Sequence, residues 1–207
     1  MTPPDLATAL ALVAITDDLR DGVDGLVTRA VAAERGGATM IQVRLKHVEA
    51  RVLADVTRRV IAAVRVPVLV NDRIDVAIAA GAAGAHVGAD DLPVHSVRAI
   101  APSGFIVGAS LGAPEEAANA SHADYVGIGP VFATQSKRDA GPAIGADGFA
   151  QLAAHAPCPA VGIGGITAAN ARALIDAGAA GVAVIADVFG AKDPEAAARA
   201  LRAAIGR

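Results

Sequence analysis

Eight short apolar runs punctuate the chain: LVAIT (12–16), TMIQVR (39–44), VPVLVN (66–71), GAHVG (84–88), FIVGAS (105–110), YVGIGPV (125–131), PAVGIGG (159–165) and GVAVIAD (181–187). They are near-continuous in apolar residues rather than alternating, which is how a strand covered on both faces reads. Between them lie alanine-rich segments with helical periodicity, among them LVTRAVAAE, ARVLADVTRRVIAAV and AANARALIDAG. Two helices close on the same turn, AAGAAG at 79–84 and DAGAAG at 176–181, where glycine supplies the left-handed residue that ends a helix. Eight strand–helix units in 207 residues predict an α/β chain folded as one (β/α)8 TIM barrel over residues 1–207. An open doubly wound sheet is the alternative. Eight parallel strands and the lack of an early G-x-G-x-x-G favour the barrel.

Composition removes several classes of function. Hydrophobic residues make up 54% of the chain, enough for a large core, while aromatics at 2% argue against a site built on stacking. A formal net charge of -3 argues against nucleic acid as a partner. The lone cysteine, Cys158, excludes an intramolecular disulfide framework and a Cys-rich zinc cluster, and in APCPA it reads as a packing residue. The first residues carry no basic segment, so no secretory signal is expected. No apolar run of about 18 residues is free of charge or turn residues, so no membrane span is expected. The expected location is the cytoplasm. The sequence leaves the oligomeric state open, a homodimer included.

A barrel of this kind carries its active site at the carboxyl ends of its strands. The polar residues gather there. The first run ends in Thr16, Asp17 and Asp18, the second in Gln42, Arg44 and Lys46, the third in Asn71, Asp72 and Arg73. Asp90 and Asp91 follow the fourth, Ser110 ends the fifth, and Thr134, Gln135, Ser136 and Lys137 follow the sixth. The chain has only three lysines, Lys46, Lys137 and Lys192, and two of them stand just beyond a strand.

Gln42, Arg44 and Lys46 have period-2 spacing, so on a strand reaching that far all three face the mouth. Two like charges about 4 Å apart repel by roughly 4 kcal/mol at an effective dielectric near 20. A diphosphate between Arg44 and Lys46 converts that cost into binding; a frayed strand end with both side chains in water is the bland alternative. Asp72 and Asp91 follow consecutive strands and are placed to share a cation. An oxygen-only donor set without His or Cys suits Mg²⁺. Either aspartate could instead cap a helix. GIGGIT and GVAVIAD close the last two strands, where such barrels seat a phosphate on backbone N–H groups. His86 reads as packed or hydrogen-bonded inside the barrel, and no histidine stands out as a general base.

Taken in order, LVAITD, IQVRLK, LVNDRIDVA, GAHVGADDLP, ADYVGIGPVFATQSK, and the pair VGIGGI and GVAVIAD resemble the motifs of the thiamine phosphate synthase family. The resemblance implies a Mg²⁺-assisted, dissociative condensation of hydroxymethylpyrimidine diphosphate with thiazole phosphate, releasing pyrophosphate. It implies pyrimidine diphosphate contacts at Gln42, Arg44, Lys46 and Asn71, metal ligands at Asp72 and Asp91, and a diphosphate contact at Ser110. It implies a thiazole phosphate site at Thr134, Ser136 and Gly165 with backbone at Ile185 and Ala186. Lys137 matches the cation beside the diphosphate, so Lys137, Arg44, Lys46 and Ser110 are the expected catalytic set. The chain departs from the family pattern at Ala89, where Gln is frequent, at Gly112, where His is frequent, and at Ala186, where Ser is usual. Three rivals share the barrel: a thiazole tautomerase-like paralogue, a silent phosphate-binding regulator, and a sugar-phosphate isomerase or epimerase. The isomerase needs an acid–base pair that the sequence does not offer.

Overall fold

The computed structural model describes residues 5–134 and 141–206. Its strands are β1 (Leu12–Ile15), β2 (Met40–Val43), β3 (Val68–Asn71), β4 (Gly84–Val87), β5 (Ile106–Ser110), β6 (Tyr125–Ile128), β7 (Ala160–Ile163) and β8 (Gly181–Val184). They pair in chain order, each parallel to the next, and β8 returns to β1 to close a barrel. The helices are α1 (Leu6–Ala9), α2 (Gly22–Arg35), α3 (Ala50–Ala63), α4 (Ile74–Ala80), α5 (Val94–Ile100), α6 (Gly145–Ala153), α7 (Ala171–Asp176), α8 (Ala186–Phe189) and α9 (Pro194–Ile205). A 3₁₀ segment, Pro114–His122, stands between β5 and β6 where a barrel of this kind carries an α-helix.

The continuous apolar character of the strands has a direct cause. One set of alternate residues (Leu12, Ala14, Ile41, Val43, Val68 and Val70) packs outward under the helices. The other set (Val13, Ile15, Met40, Leu69, Val161 and Ala183) fills the barrel interior. Both faces leave water, so both must be apolar. The helices contribute one face each. In α3 the buried residues are Leu53, Val56, Thr57 and Val60, which lie three or four apart on one stripe. Burying each of the larger aliphatic side chains there contributes about 1.5–3 kcal/mol, so a charge at Val56 would break the seam.

The helix ends follow the chain's own punctuation. Asp193 caps α9 by accepting the Ala196 N–H at 3.0 Å, Pro194 starts the helix, and Gly206 ends it in the left-handed conformation. Gly81 ends α4 in the same way, at the AAGAAG turn. Among the described residues, no helix is long and apolar enough to cross a membrane.

Two expectations need correction. The strands stop earlier than the apolar runs, because pairing ends where the chain turns at the rim. Arg44 and Lys46 therefore lie beyond β2, not on it, and strand periodicity does not aim them. Likewise Ile185, Ala186 and Asp187 do not extend β8; Ile185 caps α8 and the other two begin it.

Candidate active site

The carboxyl ends of the strands enclose a cavity of about 1000 Å³. Gln42, Arg44, Lys46, Asn71, Asp72, Asp91, Ser110, Thr134, Gly165, Ile185 and Ala186 all line it. Ser136, Lys137 and the rest of the loop stretch 135–140 lie outside the described residues.

On the β2–β4 side, the buried Gln42 donates from Nε2 to Asn71 Oδ1 at 2.7 Å, tying the ends of two adjacent strands. Thr16 performs a related task for Arg44. Its hydroxyl accepts the Arg44 N–H at 2.8 Å and donates to the Arg44 carbonyl at 3.1 Å. This side-chain rung continues the sheet one residue past β2 and fixes where the arginine leaves the backbone.

Asp72 takes a left-handed backbone, φ 62°, which Asp tolerates better than most residues. Its N–H donates to the His86 carbonyl at 2.8 Å, which holds that conformation against β4. Neither acidic residue caps a helix: α4 follows Arg73 and α5 follows Pro93, both without a side-chain cap bond. Asp91 instead accepts the Gly88 N–H on Oδ2 at 2.7 Å. Solvent reaches Asp72, yet the concave rim crowds it. Burial pushes its carboxyl up to about 6, the charge of Asp91 and a hydrogen bond to it add to the rise, and Asn71 and Arg44 oppose it. The carboxylate of Asp91 thus weighs on Asp72 from the next strand, and a cation shared by the two would relieve that repulsion. Among the described residues no cluster of three or more His, Cys, Asp or Glu forms a metal cage. A divalent ion held by two carboxylates must take its remaining ligands from water and phosphate oxygens, as Mg²⁺ does.

Arg73 turns away from this pair. Its guanidinium forms two bonds with Asp75, Nε to Oδ1 at 2.9 Å and Nη2 to Oδ2 at 2.5 Å.

The cavity floor holds a polar chain through His86, which is hydrogen-bonded inside the barrel as expected, with Tyr125 and Ser110 as its partners. His86 Nδ1 lies 3.1 Å from the Tyr125 hydroxyl, and His86 Nε2 lies 3.2 Å from Ser110 Oγ. Burial pushes His86 down to about 4, against the opposing pull of Asp91, so the ring is neutral at neutral pH. Burial also pushes the Tyr125 hydroxyl up, out of the range where it would ionise. Two glycines make the room. A Cβ at Gly108 would stand 2.3 Å from Tyr125 Cζ, and one at Gly127 would stand 3.1 Å from His86 Cε1.

On the β7–β8 side the donors are backbone. Gly164 and Gly165 have φ of 98° and 63°, and a Cβ on Gly165 would lie 2.4 Å from the Ala133 carbonyl oxygen. Glycine is therefore required for the β7 turn to lie against the loop after β6. Asn170 locks that turn: Nδ2 donates to the Gly165 carbonyl at 3.0 Å, and Oδ1 accepts the Thr167 N–H at 2.9 Å. The N–H groups of Gly165 and Ala186 donate to no described residue. Asp187 stands at the same rim, where burial pushes its carboxyl up.

The family model described as "Thiamine monophosphate synthase" matches residues 12–188. A thiamine-phosphate synthase of Roseiflexus sp. (strain RS-1) is 47% identical over 196 residues, covering 92% of this chain and 83% of the relative. One from Azorhizobium caulinodans is 43% identical over 201 residues, covering 95% of each chain. The solved structure of thiamine phosphate pyrophosphorylase from Pyrococcus furiosus superposes with a TM-score of 0.86 at 36% identity, covering 98% of both chains.

Proposed function

We propose a residue-by-residue reading of this mouth, from the premise that the chain belongs to the thiamine monophosphate synthase family. The activity is that of a thiamine-phosphate synthase, a transferase of the pyrimidinylmethyl group. The substrates are 4-amino-2-methyl-5-hydroxymethylpyrimidine diphosphate and 4-methyl-5-(2-phosphoethyl)thiazole, the latter with or without a 2-carboxylate.

The bond between the pyrimidine methylene carbon and the diphosphate oxygen breaks, and its electron pair leaves with pyrophosphate. The ring-stabilised cation that remains is captured by the thiazole nitrogen, which forms the new C–N bond; where the thiazole carries the 2-carboxylate, that group then leaves as CO2 and C2 takes a proton from solvent. No proton need be moved by the protein, which fits a mouth without a poised acid–base pair. The demand is electrostatic: hold the leaving group as its charge develops, and hold the thiazole in line. Arg44 and Lys46 contact the diphosphate. Gln42 and Asn71 orient the pyrimidine, and Ser110 donates to the diphosphate. Lys137 acts beside the leaving oxygen. Gly165, Ile185 and Ala186 receive the thiazole phosphate on backbone groups, with Thr134 and Ser136 adding hydroxyls. Asp72 and Asp91 would hold Mg²⁺, which when bound neutralises diphosphate charge.

The observation that carries this reading is the placement of Asp72 and Asp91 in one cavity with Arg44 and Lys46, with the charge of Asp91 helping to push the Asp72 carboxyl up. A silent phosphate-binding barrel has no use for two carboxylates in that position, and a tautomerase has no leaving group to neutralise. We place the step in the cytoplasm and keep a homodimer as the assembly to test by sedimentation. The decisive experiment mixes the purified protein with both substrates and Mg²⁺ and measures thiamine phosphate. No product alongside an active control enzyme would favour the silent binder.

A further inference from the structure

We propose that Tyr125 and His86 form a hydrogen-bond relay that makes the Ser110 hydroxyl an obligate donor into the cavity, so that both act as positioning residues for an anion bound there. The inference rests on the reading of Ser110 as a diphosphate contact and adds how that contact is set.

The direction of the relay follows from counting donors and acceptors. Tyr125 is 2% exposed, and its hydroxyl has one hydrogen-bond partner among the described residues, His86 Nδ1 at 3.1 Å. A buried hydroxyl hydrogen without an acceptor costs more than the bond it forgoes. The phenol must therefore donate to Nδ1, which makes Nδ1 the unprotonated nitrogen of a neutral imidazole. The ring hydrogen then resides on Nε2, and Nε2 donates to Ser110 Oγ at 3.2 Å. An oxygen that accepts from below has its own hydrogen free, and Ser110 ends β5 at the cavity wall. The opposite tautomer reverses every step. The serine hydrogen would point down to Nε2, and the site would face its anion with lone pairs.

Space for the relay is built into the interior. Gly108 pairs with both His86 and Tyr125 in the barrel register, and Gly127 pairs with Ser110. Side chains at either glycine would meet the two rings. Three neighbouring strands are thus arranged to hand one hydrogen bond from the floor to the mouth.

Two measurements on the full-length protein test this. In the ¹⁵N-labelled wild type, the His86 ring signals, identified by their loss in His86→Gln, should show the proton on Nε2. A proton on Nδ1 overturns the relay without any variant having to fold. Calorimetry with inorganic pyrophosphate and Mg²⁺ then compares wild type, Tyr125→Phe, Ser110→Ala and the double variant. Each single change should weaken binding roughly tenfold, the loss expected for a hydrogen bond to a charged group. The double variant should bind no more weakly than Ser110→Ala, because the tyrosine acts only through the serine. Additive losses would refute the relay while leaving Ser110 as an anion contact. Unchanged pyrophosphate affinity in Ser110→Ala would remove the relay's endpoint and fault the reading of Ser110 itself.

Discussion

Asp72→Asn should make the metal-free protein more stable at pH 7.5 while abolishing its activity. In the wild type, burial and Asp91 together push the Asp72 carboxyl from 3.8 to about 6. A shift of that size corresponds at full weight to about 3 kcal/mol of unfavourable interaction for the ionised form. Solvent reaches the group, so screening leaves on the order of 1 kcal/mol. Asparagine removes the charge and suits the left-handed φ of 62° at this position. The gain should appear as a rise of roughly 2–4 °C in Tm for a chain of this length. The sign of its pH dependence is fixed. The folded carboxyl binds its proton more tightly than the unfolded one, so the wild type gains stability as pH falls through about 6, and the penalty is fully present only above that value. The advantage of the variant should therefore hold above about pH 6, shrink as pH falls below that value, and vanish as it approaches the ordinary carboxylate value of 3.8. Thermal melts in EDTA over that range, repeated with Mg²⁺ and pyrophosphate, provide the assay. Added metal and pyrophosphate should reverse the ranking, because only the wild type binds and is stabilised by them. A variant less stable than wild type at pH 7.5, or a difference that ignores pH, would show that the two carboxylates do not crowd one another.

Gly165→Ala should cost about 2 kcal/mol or more in urea denaturation, from a strained φ of 63° and a Cβ 2.4 Å from the Ala133 carbonyl oxygen. It should raise the KM for thiazole phosphate while leaving that for the pyrimidine diphosphate nearly unchanged. Gln42→Leu should cost roughly 1–3 kcal/mol by leaving Asn71 Oδ1 without its donor, and should raise the pyrimidine KM; a neutral result in both assays would remove the strand-tying role. Lys137→Ala should abolish turnover far more than it weakens thiazole phosphate binding, and a near-normal single-turnover rate would remove the lysine from the chemistry.

Much of this architecture was legible because barrel strands have two apolar faces. Each of the eight runs became a strand, trimmed at its end where the ladder gives way to the rim. The trimming had a physical cause that periodicity could not reveal. Arg44 is placed by Thr16, the residue just beyond β1, and not by the pleat of its own strand. The acidic pair was legible as a pair, since Asp72 and Asp91 follow consecutive strands. That neither serves as a cap emerged only from the observed helix starts, and Arg73 was settled by its bonds to Asp75. His86 and Tyr125 were the hardest to join. They stand 39 residues apart, and only the register through Gly108 brings them together. The available signal was indirect: a histidine and a tyrosine on inward positions of an aromatic-poor barrel, with glycines at the inward positions of neighbouring strands.

The two sides of the mouth differ in the kind of donor they present, and the difference suits the two substrates. On the β2–β4 side the donors are long charged side chains beside two carboxylates. Such groups could follow a diphosphate whose charge grows as its bond breaks, and the carboxylates would hold a cation whose remaining ligands could include the same oxygens. On the β7–β8 side the donors are backbone N–H groups fixed by glycine geometry and by Asn170. A monophosphate that takes no part in bond breaking needs a rigid seat, and backbone donors supply one without side-chain entropy to lose. On the proposed assignment, flexible charged side chains would face the reacting diphosphate and fixed backbone dipoles the spectator phosphate, a division suited to holding the thiazole nitrogen still while the leaving group departs.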